Sequence, residues 1–171
     1  MKALLTDPVK GPLSLLVVVI LVMGGVFYFQ YGMGLQPCHL CHLQRIPYYG
    51  GGLLLLAILA LHLRQKRASR FTRVLLLLVG IGFLIGAGIA FYHVGVERKW
   101  WEGPVSCTGG ALSGGSLDDA VARLLATPVV RCDAIVWSLF GITMAGYNTV
   151  ISLGLGLAAL LASRAGRKEN A

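Results

Sequence analysis

Residues 74–96 read VLLLLVGIGFLIGAGIAFYHVGV, with no Asp, Glu, Lys or Arg anywhere in the run. A membrane span needs about 20 mostly apolar residues, each rising roughly 1.5 Å. Three more runs, 11–44, 46–63 and 134–163, are equally free of charge. Four buried core helices in so short a chain would leave too little polar surface to face water. The chain is 56% hydrophobic and 13% charged, about half the roughly 25% charge of a soluble domain. We therefore predict an all-α integral membrane protein. It is a four-transmembrane-helix bundle forming one membrane domain over residues 1–171, with helices near 12–31, 44–63, 73–95 and 135–162. Lys2 and Lys10 precede the first run as in a signal peptide. That run is too long for an h-region, and Gly32-Met33-Gly34 is a poor cleavage site, so it reads as a retained span.

The net charge of +8 raises the question of nucleic acid until it is divided by side. Four spans put both termini and the 64–73 link on one face. That face carries ten basic residues: Lys2, Lys10, Arg64, Lys66, Arg67, Arg70, Arg73, Arg164, Arg167 and Lys168. Two acids, Asp7 and Glu169, leave it at +8. The other face carries five basic residues (Arg45, Arg98, Lys99, Arg123 and Arg131) against five acids (Glu97, Glu102, Asp118, Asp119 and Asp133). Lys and Arg in short loops favour the cytoplasmic side. The termini are thus expected in the cytoplasm, the loops near 32–43 and 96–134 outside, and the excess charge against anionic lipid rather than nucleic acid.

Cys38, Cys41, Cys107 and Cys132 all fall in or beside the two outer loops, two per loop. Disulfides persist on that side of a bacterial inner membrane, so two redox pairs are expected. Cys38-His39-Leu40-Cys41 is a C-x-x-C, which keeps two sulfurs within bonding reach and commonly lowers one thiol pKa. Arg45 follows Cys41 by four residues, which on a helix shares a face. With the second span starting near 44, the helix dipole would also favour a thiolate at Cys41. Cys107 and Cys132 bracket Gly109-Gly110 and Gly114-Gly115, read as a hinge. Ser116 and Asp119 then match a capping box, opening a short amphipathic helix that carries Leu117, Val121, Leu124 and Leu125. A structural staple would equally account for Cys107 and Cys132 by themselves.

His93 stands at the outer end of the third span, at the depth of Arg45. There it could bond a carbonyl, relay a proton or simply face headgroups. Cys38-His39-Leu40-Cys41-His42 also matches C-x-x-C-H, the c-type haem attachment signature. That reading leaves Cys107, Cys132 and Arg45 without a role. Zinc held by Cys38, Cys41, His39 and His42 would crowd four ligands into five residues, so no metal site is expected. Gly82 and Gly86 suggest close helix packing. Tyr48, Tyr49, Tyr92, Trp100, Trp101 and Trp137 suggest an interfacial belt, and His62 an interface position at the cytoplasmic end.

Pro37-Cys38-His39-Leu40-Cys41-His42-Leu43-Gln44-Arg45, the stretch Tyr92-His93-Val94-Gly95-Val96-Glu97, and Cys107 with Cys132 together resemble the bacterial disulfide bond formation protein B (DsbB) family. The resemblance covers nearly the whole chain. It departs at Gln44, where many members have an acidic residue, and in a compact 96–134 loop. It implies a protein dithiol:quinone oxidoreductase of the inner membrane. Such an enzyme reoxidises a periplasmic thioredoxin-fold (DsbA-like) oxidase and passes the electrons to ubiquinone or menaquinone. By position, the partner's thiolate would attack Cys107, Cys132 would exchange with Cys38, and Cys41 would be released as the thiolate beside the quinone. Arg45 would stabilise that thiolate and orient the quinone ring, with His93 a second contact. The competing expectations are a membrane c-type cytochrome, a vitamin K epoxide reductase-like quinone reductase, and a scaffold with two structural disulfides. The epoxide reductase family, however, carries its C-x-x-C late in the bundle.

Overall fold

The computed structural model describes residues 7–65, 70–104 and 131–168. Four helices run through them: α1 (Lys10–Phe27), α2 (His39–Gln65), α3 (Arg70–Glu97) and α4 (Met144–Lys168). Each is long and apolar enough to cross a membrane. The core between them is built from Leu15 and Val19 of α1, Leu55 and Ile58 of α2, Val79 and Phe83 of α3, and Leu155 and Ala159 of α4. Large apolar side chains such as Ile20, Leu63, Phe71 and Val150 point outward, as lipid-facing residues do. Cys107, the 109–115 glycines and the amphipathic helix expected from Ser116 lie outside the described residues.

Helix starts differ from the hydropathy reading, and each difference has a local cause. Helix α2 begins at His39 rather than 44, because Cys38 caps it. The Cys38 sulfur accepts the Cys41 N–H at 3.3 Å, and the first helical bond runs from His42 N–H to the Cys38 carbonyl at 3.1 Å. A side chain that accepts the N–H three residues on replaces a partner the helix end lacks. Helix α4 begins at Met144, not near 135. Residues 138–143 instead form a hairpin, β1 (Ser138–Leu139) paired antiparallel with β2 (Ile142–Thr143). Its turn residues Phe140 and Gly141 both take left-handed φ, 50° and 76°, as a two-residue hairpin turn requires. Thr143 then caps α4, accepting the Gly146 N–H at 3.2 Å. At the end of α1 the chain widens into a π-helical turn, Tyr28–Gly32, that carries Gln30.

The expected close helix packing at Gly82 and Gly86 holds at Gly86 and not at Gly82. Nothing lies within 4 Å of a Cβ placed on Gly82, while one on Gly86 would meet the Pro47 ring of α2 at 2.9 Å. Helices α3 and α4 approach at Gly80 and Gly156. A Cβ on either would lie 3.2 or 3.1 Å from the other's carbonyl oxygen. Which glycines meet depends on how the helices rotate, and a G-x-x-x-G count is blind to that. The belt reading also splits. Tyr49, Trp100 and Trp101 are exposed, but Tyr48 is buried in the core. His62 is buried too, rather than set at an interface, and neither ring nitrogen is bonded among the described residues.

Candidate functional site

Three helix ends and the hairpin converge at one end of the bundle: the start of α2, the end of α3 and the start of α4. Cys38, Leu40, Val96 and Cys132 form a buried cluster there, with Cys41 and Leu43 packed on it. Three of the four expected cysteines are therefore brought together by the fold. Cys38 and Cys41 are free thiols whose sulfurs lie 2.8 Å apart. Cys132 is disulfide-bonded, so neither of those two is its partner.

His93 joins the two loops. Its Nε2 lies 3.7 Å from the Cys38 sulfur, 3.2 Å from the Cys132 carbonyl oxygen and 3.9 Å from Glu97 Oε1. Its Nδ1 lies 2.8 Å from Gln44 Nε2. It is buried, not turned to headgroups. His39 and His42 are both exposed, so the imidazole at the dithiol is the distant His93 rather than the neighbouring pair. The donor atoms of Cys38, Cys41 and His93 lie within 4.8 Å of one another. Two thiolates around a tetrahedral zinc stand about 3.8 Å apart at a Zn–S distance of about 2.3 Å. Sulfurs at 2.8 Å are better placed to bond to each other.

The donors converge on Cys38, whereas the sequence put the favoured thiolate at Cys41. The shifted helix start adds to this, since the cap position and the positive end of the dipole fall on Cys38. Its thiol is held well below the ordinary value, at about 4. The neighbouring Cys41 thiol does most of this by donating to the sulfur; burial opposes it, and His93 adds to it. A group with a depressed pKa keeps its charged form to lower pH. In the reduced protein, alkylation of Cys38 by iodoacetamide, followed by peptide mass spectrometry, is expected to stay flat from pH 8 down to about 5. A thiol with the ordinary pKa of about 8.5 slows tenfold per pH unit. A tenfold-per-unit slope at Cys38 would refute the assignment.

The dithiol opens into a cavity of about 370 Å³. Leu21, Val22 and Val26 of α1, Phe29 of the π-turn and Trp137 beside the hairpin give it apolar walls, and Arg45, Gln30, Glu97 and Asn148 are among the polar groups lining it. Trp137 packs on Phe29 with ring centroids 5.0 Å apart, so it is a wall of the cavity rather than a belt residue. Arg45 donates from Nη1 to Gln30 Oε1 at 2.6 Å. The guanidinium is thus fixed from the π-turn of α1, a contact that helical spacing alone does not foresee. Glu97 accepts the Thr143 hydroxyl at 2.5 Å, and Arg98 donates to the Gly141 carbonyl at 2.7 Å; both tie the hairpin to α3. Gln30, Glu97 and Asn148 were missed as site residues. Gln30 and Asn148 carried a signal, being polar side chains inside charge-free runs, which are costly there without partners.

A multi-pass membrane bundle with a buried dithiol beside an apolar cavity defines a membrane thiol–disulfide protein. The chain belongs to the DsbB family: the family described as disulfide bond formation protein DsbB matches residues 11–162. Disulfide bond formation protein B 2 of Pseudomonas syringae pv. syringae (strain B728a) is 32% identical over 136 residues, covering 80% of this chain and 77% of that protein. Disulfide bond formation protein B of Methylobacillus flagellatus is 32% identical over 143 residues, 82% of this chain and 83% of the relative. The protein of the same name from Xanthomonas euvesicatoria pv. vesicatoria (strain 85-10) is 33% identical over 148 residues, 84% and 83% of the two chains. No solved structure matches the chain. The protein is thus a membrane disulfide bond formation protein, a disulfide-forming oxidoreductase.

Proposed function

We propose that the protein moves two electrons from a reduced thioredoxin-fold (DsbA-like) periplasmic dithiol to a membrane quinone, ubiquinone or menaquinone, with its termini cytoplasmic and its redox loops periplasmic. The observation that carries this reading is the Cys38–Cys41 pair opening into an apolar cavity that Arg45 also lines. A cavity of about 370 Å³ is within the roughly 300–1,000 Å³ of small-ligand sites, which are mostly apolar with a few orienting polar groups. It suits a quinone head group, with the isoprenoid tail left in lipid. A bound quinone supplies a two-electron, two-proton acceptor.

The chain's own residues do the rest. The partner's thiolate attacks Cys107, the partner closes its own disulfide, and Cys107 and Cys132 are left as thiols. The Cys132 thiolate then attacks the sulfur of Cys38 in an oxidised Cys38–Cys41 pair. A Cys132–Cys38 bond forms, the Cys38–Cys41 bond breaks, and Cys41 leaves as a thiolate. Cys38 and Cys132 already share one buried cluster, so the exchange needs little movement there. Arg45 offers a positive charge at the cavity where Cys41 is released. Restoring the Cys38–Cys41 and Cys107–Cys132 disulfides sends two electrons and two protons into the cavity. His93 and Glu97 are the titratable groups beside that path.

The test is oxidation of a purified DsbA-like dithiol by the detergent-solubilised protein. Stoichiometric oxidation without quinone and sustained turnover on adding short-chain ubiquinone or menadione are expected. Sustained turnover with neither, or none with either, would refute the reading. A covalent haem stain with a Soret band would establish the cytochrome instead.

A further inference from the structure

The end of His93 that faces away from the cysteines is held by a buried polar chain that the thiol chemistry does not itself require. The Tyr48 hydroxyl donates to Asn148 Oδ1 at 2.6 Å, and the Ser152 hydroxyl reaches the same oxygen at 3.2 Å. With Oδ1 so occupied, Asn148 turns its amide nitrogen to Gln44 and donates to Oε1 at 2.7 Å. Gln44 in turn presents its own amide nitrogen to His93 Nδ1 at 2.8 Å. An N–H facing a ring nitrogen requires that nitrogen to be the acceptor. A neutral imidazole carries one proton, so the proton sits on Nε2.

The other face of the ring points to the same answer. The groups around Nε2 are a carbonyl oxygen, a sulfur and a carboxylate oxygen: Cys132 O at 3.2 Å, Cys38 Sγ at 3.7 Å and Glu97 Oε1 at 3.9 Å. The carbonyl can only accept, and the thiolate and carboxylate accept too, so a bare Nε2 would face the Cys132 carbonyl lone pair to lone pair. The alternative tautomer would need both amides inverted and would still leave the Cys132 carbonyl without this donor.

We propose that Gln44 and Asn148 are positioning residues that lock His93 as its Nε2–H tautomer, so that one fixed proton is shared between the Cys38 sulfur and the Cys132 backbone carbonyl. The inference rests on the thiol-exchange reading above and deepens it. His93 acts as a donor that holds the two redox loops in register and stabilises the Cys38 thiolate of the reduced pair. It does not act as the base that removes the thiol proton. Donors fixed in advance toward a developing charge cost no reorganisation when it forms. The chain supplies that fixity from α4, whose Asn148 lies 104 residues from Gln44.

The experiment is ¹⁵N NMR of histidine-labelled protein with its first dithiol reduced, the His93 signals being assigned by their loss in His93→Gln. In the unaltered protein, a pyridine-type Nδ1 and a pyrrole-type Nε2 are expected. Asn148→Asp keeps the side-chain shape but can only accept, which forces Gln44 to invert. His93 should then move its proton to Nδ1, and the pH below which Cys38 alkylation begins to fall should rise by about one unit, the tenfold shift in acid dissociation expected for loss of a hydrogen bond to a charged group. Gln44→Glu, a second shape-conserving acceptor, should likewise protonate Nδ1. A purely structural role would change neither the tautomer nor the alkylation profile. A protonated Nδ1 in the unaltered protein overturns the proposal without recourse to any variant. So does an unchanged tautomer in either variant. The readout does not depend on quinone, so a failure of quinone-linked turnover with this tautomer present would remove the functional reading and leave the lock.

Discussion

Cys41→Ser is expected to lower sustained dithiol-to-quinone turnover by roughly 10³-fold or more, the scale seen when a covalent participant is deleted. The serine hydroxyl cannot form the Cys38–Cys41 bond, so two electrons reaching Cys38 have no disulfide to leave through. The substitution is nearly isosteric and keeps the backbone N–H that donates to the Cys38 sulfur at 3.3 Å. The helix cap therefore survives, and so does the first half-reaction. The variant should still oxidise one equivalent of partner dithiol through the second-loop disulfide and then stop. Stopped-flow thiol consumption with and without ubiquinone separates the two phases. Turnover within tenfold of the parent protein would mean that Cys41 is not in the electron path.

The membrane architecture was legible because absence of charge is a one-dimensional property. A run such as 74–96 announces α3 whatever it packs against. Cys38, Cys41 and Arg45 could be singled out because C-x-x-C spacing and a lone charge inside an apolar run are local features, whereas Cys107 lies outside the described residues. What hydropathy could not read was where helices start. Residues 138–143 are as apolar as the helix that follows, yet left-handed φ at Phe140 and Gly141 turns them into a hairpin. Cys38 is not among the usual capping residues, so the start at His39 was read five residues late, and with it the sulfur that the cap favours. The polar chain was out of reach for another reason. Gln44 and Asn148 are each an isolated polar residue in a span, and only the packing of α2 on α4 makes them partners. His93 was flagged by depth alone. Its bonds to Gln44 and to the Cys132 carbonyl come from elements 49 and 39 residues away.

Arg45→Ala should raise the quinone concentration needed for half-maximal turnover by about 10–100-fold, the range for losing a hydrogen bond to a charged or polarised acceptor, about 1.5–3 kcal/mol. Arg45 lines the cavity, and its guanidinium is pinned by Gln30 at 2.6 Å. A guanidinium has five N–H donors in a rigid fork, so the bond to Gln30 orients the group and leaves its charge directed at the cavity. Removing it should damage the quinone step and the release of Cys41 beside it, and spare the partner's exchange with the second-loop disulfide, because Arg45 bonds to Gln30 and not to Cys38 or His93 among the described residues. The one-equivalent oxidation of partner dithiol in the absence of quinone should therefore keep its rate within about twofold, since substitutions away from the reacting groups usually act by less than about 0.5 kcal/mol. Gln30→Leu provides the graded comparison. It keeps the charge but frees its direction, so it should fall between the parent and Arg45→Ala. If Arg45→Ala slowed the quinone-free equivalent as much as the quinone-dependent turnover, Arg45 would be acting on the thiols and not on the cavity's occupant. An unchanged quinone dependence would remove it from the site altogether.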